Sequence, residues 1–534
     1  MNQPLNEPIL DYLKGSKERS LLESTIKDLS DKIIDIPMYI GNQKITTSVK
    51  KTIHPPHQHQ STLATFSEGD KSQVELAITA ALDAKQAWMN KSIEERSSIF
   101  LKAADLLSTK YRALINAATM LGQSKNVYQA EIDSACELID FFRFNAYYAL
   151  QIQQTQPFSP NGIQNELEYR PLEGFVVAIT PFNFTAIAGN LPSAPAIMGN
   201  TVVWKPAYTQ IYAAHFTMEI LLEAGLPPGV INLIYVDGPV LGEVCFTHPE
   251  FSGLHFTGST KVFNQIQHTI QSNSHLYKNY PKIVGETGGK DFVLVHPKTN
   301  IKAVATALIR GAFEYQGQKC SAASRAYIPA SIWAELWATM KLWLDEITIG
   351  SVTEFQHFMN AVIDQTAFNK ITSYIEYCKN NSDAEIIYGG TYSDEVGYFI
   401  QPTIVLTKNP KNKTMVEEIF GPVLTIYIYQ DSDFDSVLDL VNASTAFALT
   451  GSIFSDDASV IEKVKNKLQY AAGNFYINDK PTGAVVNQQP FGGARKSGTN
   501  DKAGSIYNLT RWISPRTIKR NLAPPENPFY PYMK

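Results

Sequence analysis

The sequence predicts an α/β protein of two lobes, and three observations carry that expectation. From about residue 72 to 150, apolar residues recur at helical spacing in VELAITAALDAKQAW, SSIFLKAADLLSTKYRALINAATMLG and EIDSACELIDFFRFNAYYALQ, which predicts long amphipathic helices. After the polar segment QTQPFSPNGIQNELEYRPLEG the period changes. Short β-branched runs, GFVVAIT, NTVVWKPA, VINLIYV and GLHFTGS, now alternate with helical stretches, the pattern of a parallel sheet with crossover helices. A second series repeats it, with DFVLVHP, RAYIPA, YFIQPTIVL, PVLTIYIY and LTGSIFS among helices such as SIWAELWATMKLWLDEI. There is no tandem repeat, low-complexity tract or long flexible linker. The tail NLAPPENPFYPYMK, rich in proline and aromatics, reads either as a segment docked on a neighbouring surface or as a frayed end.

Composition narrows the function classes. The chain has 534 residues, 44% of them hydrophobic, which is ample for large cores. Its 46 basic and 51 acidic residues leave a net charge of -5 with no basic stripe, so nucleic acid is not expected as a partner. Cys136, Cys245, Cys320 and Cys378 lie far apart without metal-ligand spacing; no disulfide framework and no metal are expected, and a reducing compartment fits. The opening MNQPLNEPILDYLKGSKERS has no signal-peptide core and carries Glu7, Asp11 and Glu18, unlike a transit peptide. No apolar run has the length to span a bilayer, so no membrane association is expected and the cytoplasm is the default location.

Several residues have the chemistry for catalysis, each with a plainer reading beside it. Cys320 stands in the polar stretch EYQGQKCSAASR, where a thiol is either structural or reactive. The GxGxxG fingerprint is absent, but HFTGSTKVF ends a strand and opens a helix near Ser259, so Gly258 and Ser259 form either an ordinary N-cap or a pyrophosphate cradle. Lys205 in VVWKPA lies at the carboxyl end of a strand and is either a ribose contact or a solvated loop lysine. Asn183 in AITPFNF is a turn residue or an oxyanion donor. Glu286 in IVGETGGKD sits at the seam between the lobes, as a solvated loop carboxylate or a desolvated general base.

Taken in order, TPFNF, WKPA, FTGS, GETGGK, GQKCSA, EEIFGPV and QQPFGGARKSGTND resemble the NAD(P)-dependent aldehyde dehydrogenase superfamily from end to end. AEIDSACELIDFFRFNAYYA, TGAVVNQQPFGGARKSGTNDKAG and RWISPRTIK look like its 1-pyrroline-5-carboxylate dehydrogenase branch. The resemblance implies two Rossmann-like lobes, cofactor and catalytic, plus a small oligomerisation element. It divides the chain into an N-terminal helical part of the NAD-binding domain (1–155), an oligomerisation hairpin (156–175), the NAD-binding domain (176–286), a catalytic domain (287–477), a substrate-anchor segment (478–504) and an oligomerisation tail (505–534).

The same resemblance implies oxidation of L-glutamate γ-semialdehyde, the open-chain form of 1-pyrroline-5-carboxylate, to L-glutamate with reduction of NAD. Cys320 would be the nucleophile, Glu286 the base that activates water, and Asn183 with the Cys320 N–H the oxyanion donors. Lys205, Gly258, Ser259, Glu418, Phe420, Thr180 and Pro181 would bind the cofactor. Ser321, Gly483 and Ala484 would anchor the α-carboxylate, Phe182 and Phe491 would line the aliphatic part unless they are plain core, and Glu137 would approach the α-ammonium. Two departures stand out. Tyr208 replaces an acidic residue that often follows the lysine and repels a 2′-phosphate, which leaves NADP open, and Phe263 replaces a frequent glycine. The expected assembly is a homodimer or a dimer-based oligomer, and the expected compartment is the cytoplasm, or the mitochondrial matrix in a eukaryote. The chain has no length for a fused flavin domain. Other readings are an aldehyde dehydrogenase for another short semialdehyde and a catalytically silent scaffold.

Overall fold

The computed structural model describes residues 3–533. Among them, two seven-stranded sheets form the bodies of two lobes. The first sheet runs Lys282–Glu286, Phe251–Thr257, Phe175–Thr180, Val202–Pro206, Ile231–Leu233, Met38–Ile40 and Gln43–Ile45. The first five strands are parallel and the last two add on antiparallel. Strand order reverses at the central Phe175–Thr180. Ligands of open α/β sheets bind at such a reversal, outside the carboxyl ends of the strands. TPFNF, WKPA, FTGS and GETGGK all occupy or directly follow those ends.

The second sheet runs Ala384–Tyr388, Thr403–Thr407, Val423–Tyr429, Ala323–Pro329, Asp291–Val295, Thr450–Phe454 and Asn474–Ile477, parallel except for its first, edge strand. Residues 287–290 carry the chain directly from one sheet to the other. The second lobe meets the cleft with its strand starts. Cys320 lies just before Ala323–Pro329, and Glu418 and Phe420 just before Val423–Tyr429. The carboxyl-end rule therefore locates the first lobe's contribution to the cleft and not the second's.

The predicted N-terminal helices are present as Lys71–Met89, Ile93–Ser108, Arg112–Gln123 and Leu138–Gln154. Capping boxes start two of them, Asp70 with Gln73 and Ser92 with Glu95. The expectation of a helical part over residues 1–155 needs correction, because strands Ile34–Ile36, Lys50–Ile53 and Ala64–Ser67 form a separate sheet and Met38–Ile45 extends the first one. Segments of three or four residues are too short for alternation to register as a period. The helix expected from EIDSACELIDFF opens with a π-helical turn, Glu131–Glu137, a widening that often marks functional sites.

Buried ion pairs fix the N-terminal segment to these helices. Arg112 bridges Glu7 and the fully buried Glu131, and Glu131 also accepts from Tyr12 Oη, Asn116 Nδ2 and the Leu10 N–H. Removing one partner of such a pair strands the other without water. Arg112→Ala should lower the unfolding free energy by about 3–5 kcal/mol, read from the urea midpoint at unchanged slope. A midpoint equal to that of the unsubstituted protein would contradict the argument.

Strands Ile163–Pro171 and Ile513–Asn521 pair antiparallel over their whole length, from Ile163 opposite Asn521 to Pro171 opposite Ile513. They form a two-stranded ribbon whose outer edges have no strand partner among the described residues. Of the tail NLAPPENPFYPYMK, Asn521 ends this pairing and the Leu522 N–H donates to the Gly162 carbonyl, while residues 523–533 are exposed.

Candidate active site

The loop that carries Cys320 is held in an uncommon backbone state. Tyr315, Gln316 and Gly317 all have positive φ, of 50°, 55° and 66°. Two non-glycine residues in a row in the left-handed region need support from their surroundings. Gln316 supplies it: its Nε2 donates to the Ser124 (3.0 Å) and Ala361 (2.7 Å) carbonyls while its Oε1 accepts from the Asn360 N–H (3.1 Å). Gln318 Oε1 accepts from the Ile363 N–H at 2.9 Å. These contacts reach both lobes and place Cys320 at the seam.

Cys320 is half-buried, while Cys136, Cys245 and Cys378 are buried. Loss of water around the sulfur, then the carboxylates of Asp291, Glu286 and Glu418, push the thiol well above the ordinary cysteine value. Glu286 ends its strand, and its Oε2 accepts from the Gly493 N–H at 3.3 Å. Burial drives its carboxyl well above the ordinary range, opposed by the Gly493 N–H and Lys502. A buried carboxyl raised in this way is suited to take up a proton. Asn183, buried, donates from Nδ2 to the Gln318 carbonyl at 3.1 Å, which fixes the amide beside the nucleophile loop. Its second N–H and the Cys320 N–H have no partner among the described residues, so two donors are free for an oxyanion.

Lys205 lies at the carboxyl end of the strand Val202–Pro206, and burial lowers its pKa. Its hydrogen bond among the described residues is a long one, 3.3 Å, to the neighbouring Pro206 carbonyl. A buried ammonium held by one weak contact is suited to a ligand hydroxyl or phosphate oxygen. The Ser259 hydroxyl caps the helix Thr260–Ser272 by accepting from the Val262 N–H (3.3 Å), which leaves its own O–H to donate. Gly258 contributes shape only: its N–H is taken by the Glu286 carbonyl (3.1 Å), and a Cβ there would strike the Phe256 ring. Together these groups fit a dinucleotide.

Across the cleft, Glu418 Oε1 accepts from the Gly289 N–H at 2.8 Å, and Phe420, with φ of 62°, packs edge-on against Phe182 with centroids 5.9 Å apart. Pro181 and Phe182 are half-buried at the same strand end. Thr180 is different. Its hydroxyl accepts from the Trp204 indole N–H and its carbonyl from the Ala207 N–H, both at 3.0 Å, so both oxygens join strands and the hydroxyl proton is left to donate.

Beside the thiol, Ser321 Oγ and Thr482 Oγ1 are hydrogen-bonded at 2.8 Å, and Gly483, at φ of 92°, and Ala484 follow with N–H groups that have no partner among the described residues. A hydroxyl pair and two free N–H donors have the chemistry to hold a carboxylate. Phe491, half-buried, is fixed by backbone hydrogen bonds in both directions with Ala503. Glu137, in the π turn, has its carboxyl raised by burial and by Asp133, with Lys125 and Lys319 opposing. A cation arriving beside it would favour its ionised form. Lys319, next to the nucleophile, pairs with Glu314 at 3.3 Å, and burial brings its ammonium down to about 8.

Both sequence departures have local explanations. Phe263 stacks on Phe256 with centroids 5.3 Å apart and fills the space over Gly285, where a side chain would collide with it, so it is core. Tyr208 donates its hydroxyl to Glu68 at 2.5 Å, Glu68 takes Lys51 at 2.6 Å, and the ammonium groups of Lys51 and Lys205 lie 4.7 and 5.3 Å from the Tyr208 ring centroid. Burial raises the Glu68 carboxyl, but Lys51 and Tyr208 outweigh it and leave the group below its ordinary value. Glu68 and Lys51 carried no motif signal. Thr482, Gln316 and Gln318 lay inside or beside quoted motifs without being singled out.

Comparison with known proteins is consistent across sequence and structure. The profile described as Aldehyde dehydrogenase family matches residues 44–518. A Delta-1-pyrroline-5-carboxylate dehydrogenase, mitochondrial, of Dictyostelium discoideum is 51% identical over 99% of this chain and 96% of its own. The Homo sapiens protein of the same name is 45% identical over 99% of this chain and 94% of its own. Among solved structures, the Delta-pyrroline-5-carboxylate dehydrogenase from Mycobacterium tuberculosis bound with NAD matches with a TM-score of 0.97 and 47% identity, covering 100% of this chain and 99% of that one.

Proposed function

We propose, given that this chain belongs to the aldehyde dehydrogenase family, that Cys320, Glu286 and Asn183 are the groups through which it works. The chain is an NAD-dependent pyrroline-5-carboxylate dehydrogenase, which oxidises L-glutamate γ-semialdehyde to L-glutamate in proline breakdown. The observation that best supports this substrate is the pair of free N–H donors at Gly483 and Ala484 beside Ser321, an anion site next to the nucleophile.

The Cys320 sulfur bonds to the aldehyde carbon as its proton leaves to base, and the carbonyl oxygen takes the negative charge. The free N–H of Asn183 and the Cys320 N–H hold that oxygen. Bound along Lys205, Ser259 and Glu418, NAD supplies the hydride acceptor. With hydride gone from the carbon, the carbonyl re-forms as a thioester on Cys320. Glu286 then takes a proton from water, whose oxygen attacks the thioester carbon; the carbon–sulfur bond breaks and glutamate leaves. Ser321, Gly483 and Ala484 hold the α-carboxylate throughout, Phe182 and Phe491 enclose the methylenes, and Glu137 faces the α-ammonium. The test is NADH formation at 340 nm with pyrroline-5-carboxylate, succinate semialdehyde and propanal in parallel. Clear preference for the first supports the reading, and activity on simple aldehydes alone would overturn the substrate.

Glu68 gives this cofactor site an acidic group that Tyr208 lacks, and it would repel a 2′-phosphate. Glu68→Gln is expected to raise the NADP-to-NAD ratio of kcat/KM by about threefold to tenfold, as loss of one partly screened charge contact should; an unchanged ratio would remove Glu68 from discrimination.

For assembly, the paired strands Ile163–Pro171 and Ile513–Asn521 form a ribbon suited to pairing with a second copy, giving a homodimer or a dimer-based oligomer. For location, no helix among the described residues is long and apolar enough to cross a membrane. The cytoplasm, or the mitochondrial matrix in a eukaryotic source, is the compartment we assign, the latter in line with the names of several eukaryotic relatives.

A further inference from the structure

Asn6, in the extended segment before the first helix, makes three hydrogen bonds to parts of the chain remote from it in sequence. Its Nδ2 donates to Asp140 Oδ2 at 2.8 Å and to the Val486 carbonyl at 2.9 Å, and its Oδ1 accepts from Gln488 Nε2 at 3.0 Å. Two of these three end on the loop that begins with Thr482, Gly483 and Ala484. Apart from the Val486 side chain, which is buried in the core, that loop has few other attachments. Thr482 meets Ser321 at one end, Tyr148 donates to Asn487 at the other, and the bonds between are internal, from the Val485 N–H to Gln489 Oε1 and from the Gln488 and Gln489 N–H groups to the Val485 carbonyl. The free N–H groups of Gly483 and Ala484 lie between the two attachments, so their direction depends on both.

Attachment of the N-terminal segment itself does not depend on Asn6. The Glu7 N–H donates to Asp140 Oδ1 at 2.8 Å, Glu7 pairs with Arg112 and Arg143, and Leu10 and Tyr12 bond Glu131. What Asn6 adds to this tether is a second link from the helix Leu138–Gln154 to the anchor loop, beside the Tyr148 bond to Asn487 and reaching Val486 and Gln488 on either side of it. We infer that Asn6 is a positioning residue for recognition of the substrate's α-carboxylate, acting through Val486 and Gln488 on the N–H pair of Gly483 and Ala484. This rests on the substrate reading above. The physical basis is that a binding constellation has to be fixed to within a fraction of an ångström by groups that do not touch the ligand.

The test compares the unsubstituted enzyme with Asn6→Ala and Gln488→Ala, using the semialdehyde, propanal and L-glutamate as a competitive inhibitor. Asn6→Ala should raise KM for the semialdehyde and Ki for L-glutamate by about tenfold, with semialdehyde kcat, propanal kcat/KM and KM for NAD within about twofold. Gln488→Ala, which removes one contact, should move the same two constants by about threefold. A role confined to stability would lower activity on both aldehydes together and leave the glutamate Ki unmoved, and that result overturns the inference. Should Asn6→Ala fail to fold, Gln488→Ala decides alone, and an unchanged glutamate Ki there overturns it equally. An unsubstituted enzyme with no preference for the semialdehyde and no inhibition by glutamate would overturn the substrate reading, and this inference with it. A preference that is undiminished in Asn6→Ala, with the glutamate Ki unmoved, overturns only the role of Asn6.

Discussion

Cys320→Ala is expected to abolish NADH formation with every aldehyde, lowering kcat by about 10⁴-fold or more, the usual cost of deleting a covalent nucleophile. The reason lies in the order of events. Without a carbon–sulfur bond the aldehyde carbon stays trigonal and has no negative oxygen to expel hydride. None of the other thiols can replace it: Cys136, Cys245 and Cys378 are buried, and loss of water raises each of them, Cys378 to about 11. The substitution removes a half-buried sulfur from a loop held by Gln316 and Gln318, so melting temperature and NAD affinity should stay close to those of the unsubstituted protein. Iodoacetamide gives a second readout. It should attach one group to the unsubstituted protein, on Cys320, and none to the variant. Full turnover in the alanine variant, or labelling at another cysteine accompanied by loss of activity, would refute the assignment. Because burial and three carboxylates raise the Cys320 thiol, its ionised fraction grows as pH rises, and the labelling rate should climb through the alkaline range.

How much of this was legible depended on whether the chemistry lies along the chain or across it. Asn183, Lys205, Glu286, Cys320 and Glu418 are each embedded in a contiguous motif, because each sits where a strand meets the cleft and the local backbone requires its neighbours. The two sheets were legible for the same reason: their longer strands, such as FVVAIT at Phe175–Thr180 and VLTIYIY at Val423–Tyr429, are runs of β-branched and aromatic residues. The residues that adjust the site were not. Glu68 directly follows the strand Ala64–Ser67 and Lys51 lies in Lys50–Ile53, both too short to show alternation, and the two approach Tyr208 only after folding. Phe263 stood out as a departure from a frequent glycine and is core packing over Gly285, which only the direction of its side chain decides. Thr180 stands in the most informative of the motifs, yet its polar atoms join strands. Asn6 reaches Val486 through no local rule. Motif order therefore located the reacting groups, while the groups that set discrimination and position required the tertiary structure.

Glu286→Gln separates the two halves of the reaction. Thiohemiacetal formation and hydride loss need the thiol and the oxyanion donors; hydrolysis of the thioester needs a base for water. The variant should give a burst of one NADH per active site and then a steady rate lower by about 10²–10³-fold, the size of a general-base contribution. Quenched after the burst, it should carry glutamate as a thioester on Cys320, visible by mass spectrometry and removed by hydroxylamine. The pH dependence adds a check with a definite sign. A base acts when unprotonated, and burial holds the Glu286 carboxyl well above the ordinary carboxylate range, against the pull of the Gly493 N–H and Lys502. Hydrolysis by the unsubstituted enzyme should accordingly fall as pH drops through that raised value, at higher pH than an exposed glutamate would produce. The glutamine variant should lose this acid limb in its hydrolytic step while acylation still rises with pH through Cys320. If instead the burst itself slows and no adduct accumulates, Glu286 serves chiefly to deprotonate the thiol, and the water-activating role fails. The Gly493 N–H holds one carboxylate oxygen of Glu286, Oε2, at 3.3 Å and leaves Oε1 to take a proton from water, which makes hydrolysis the step expected to suffer.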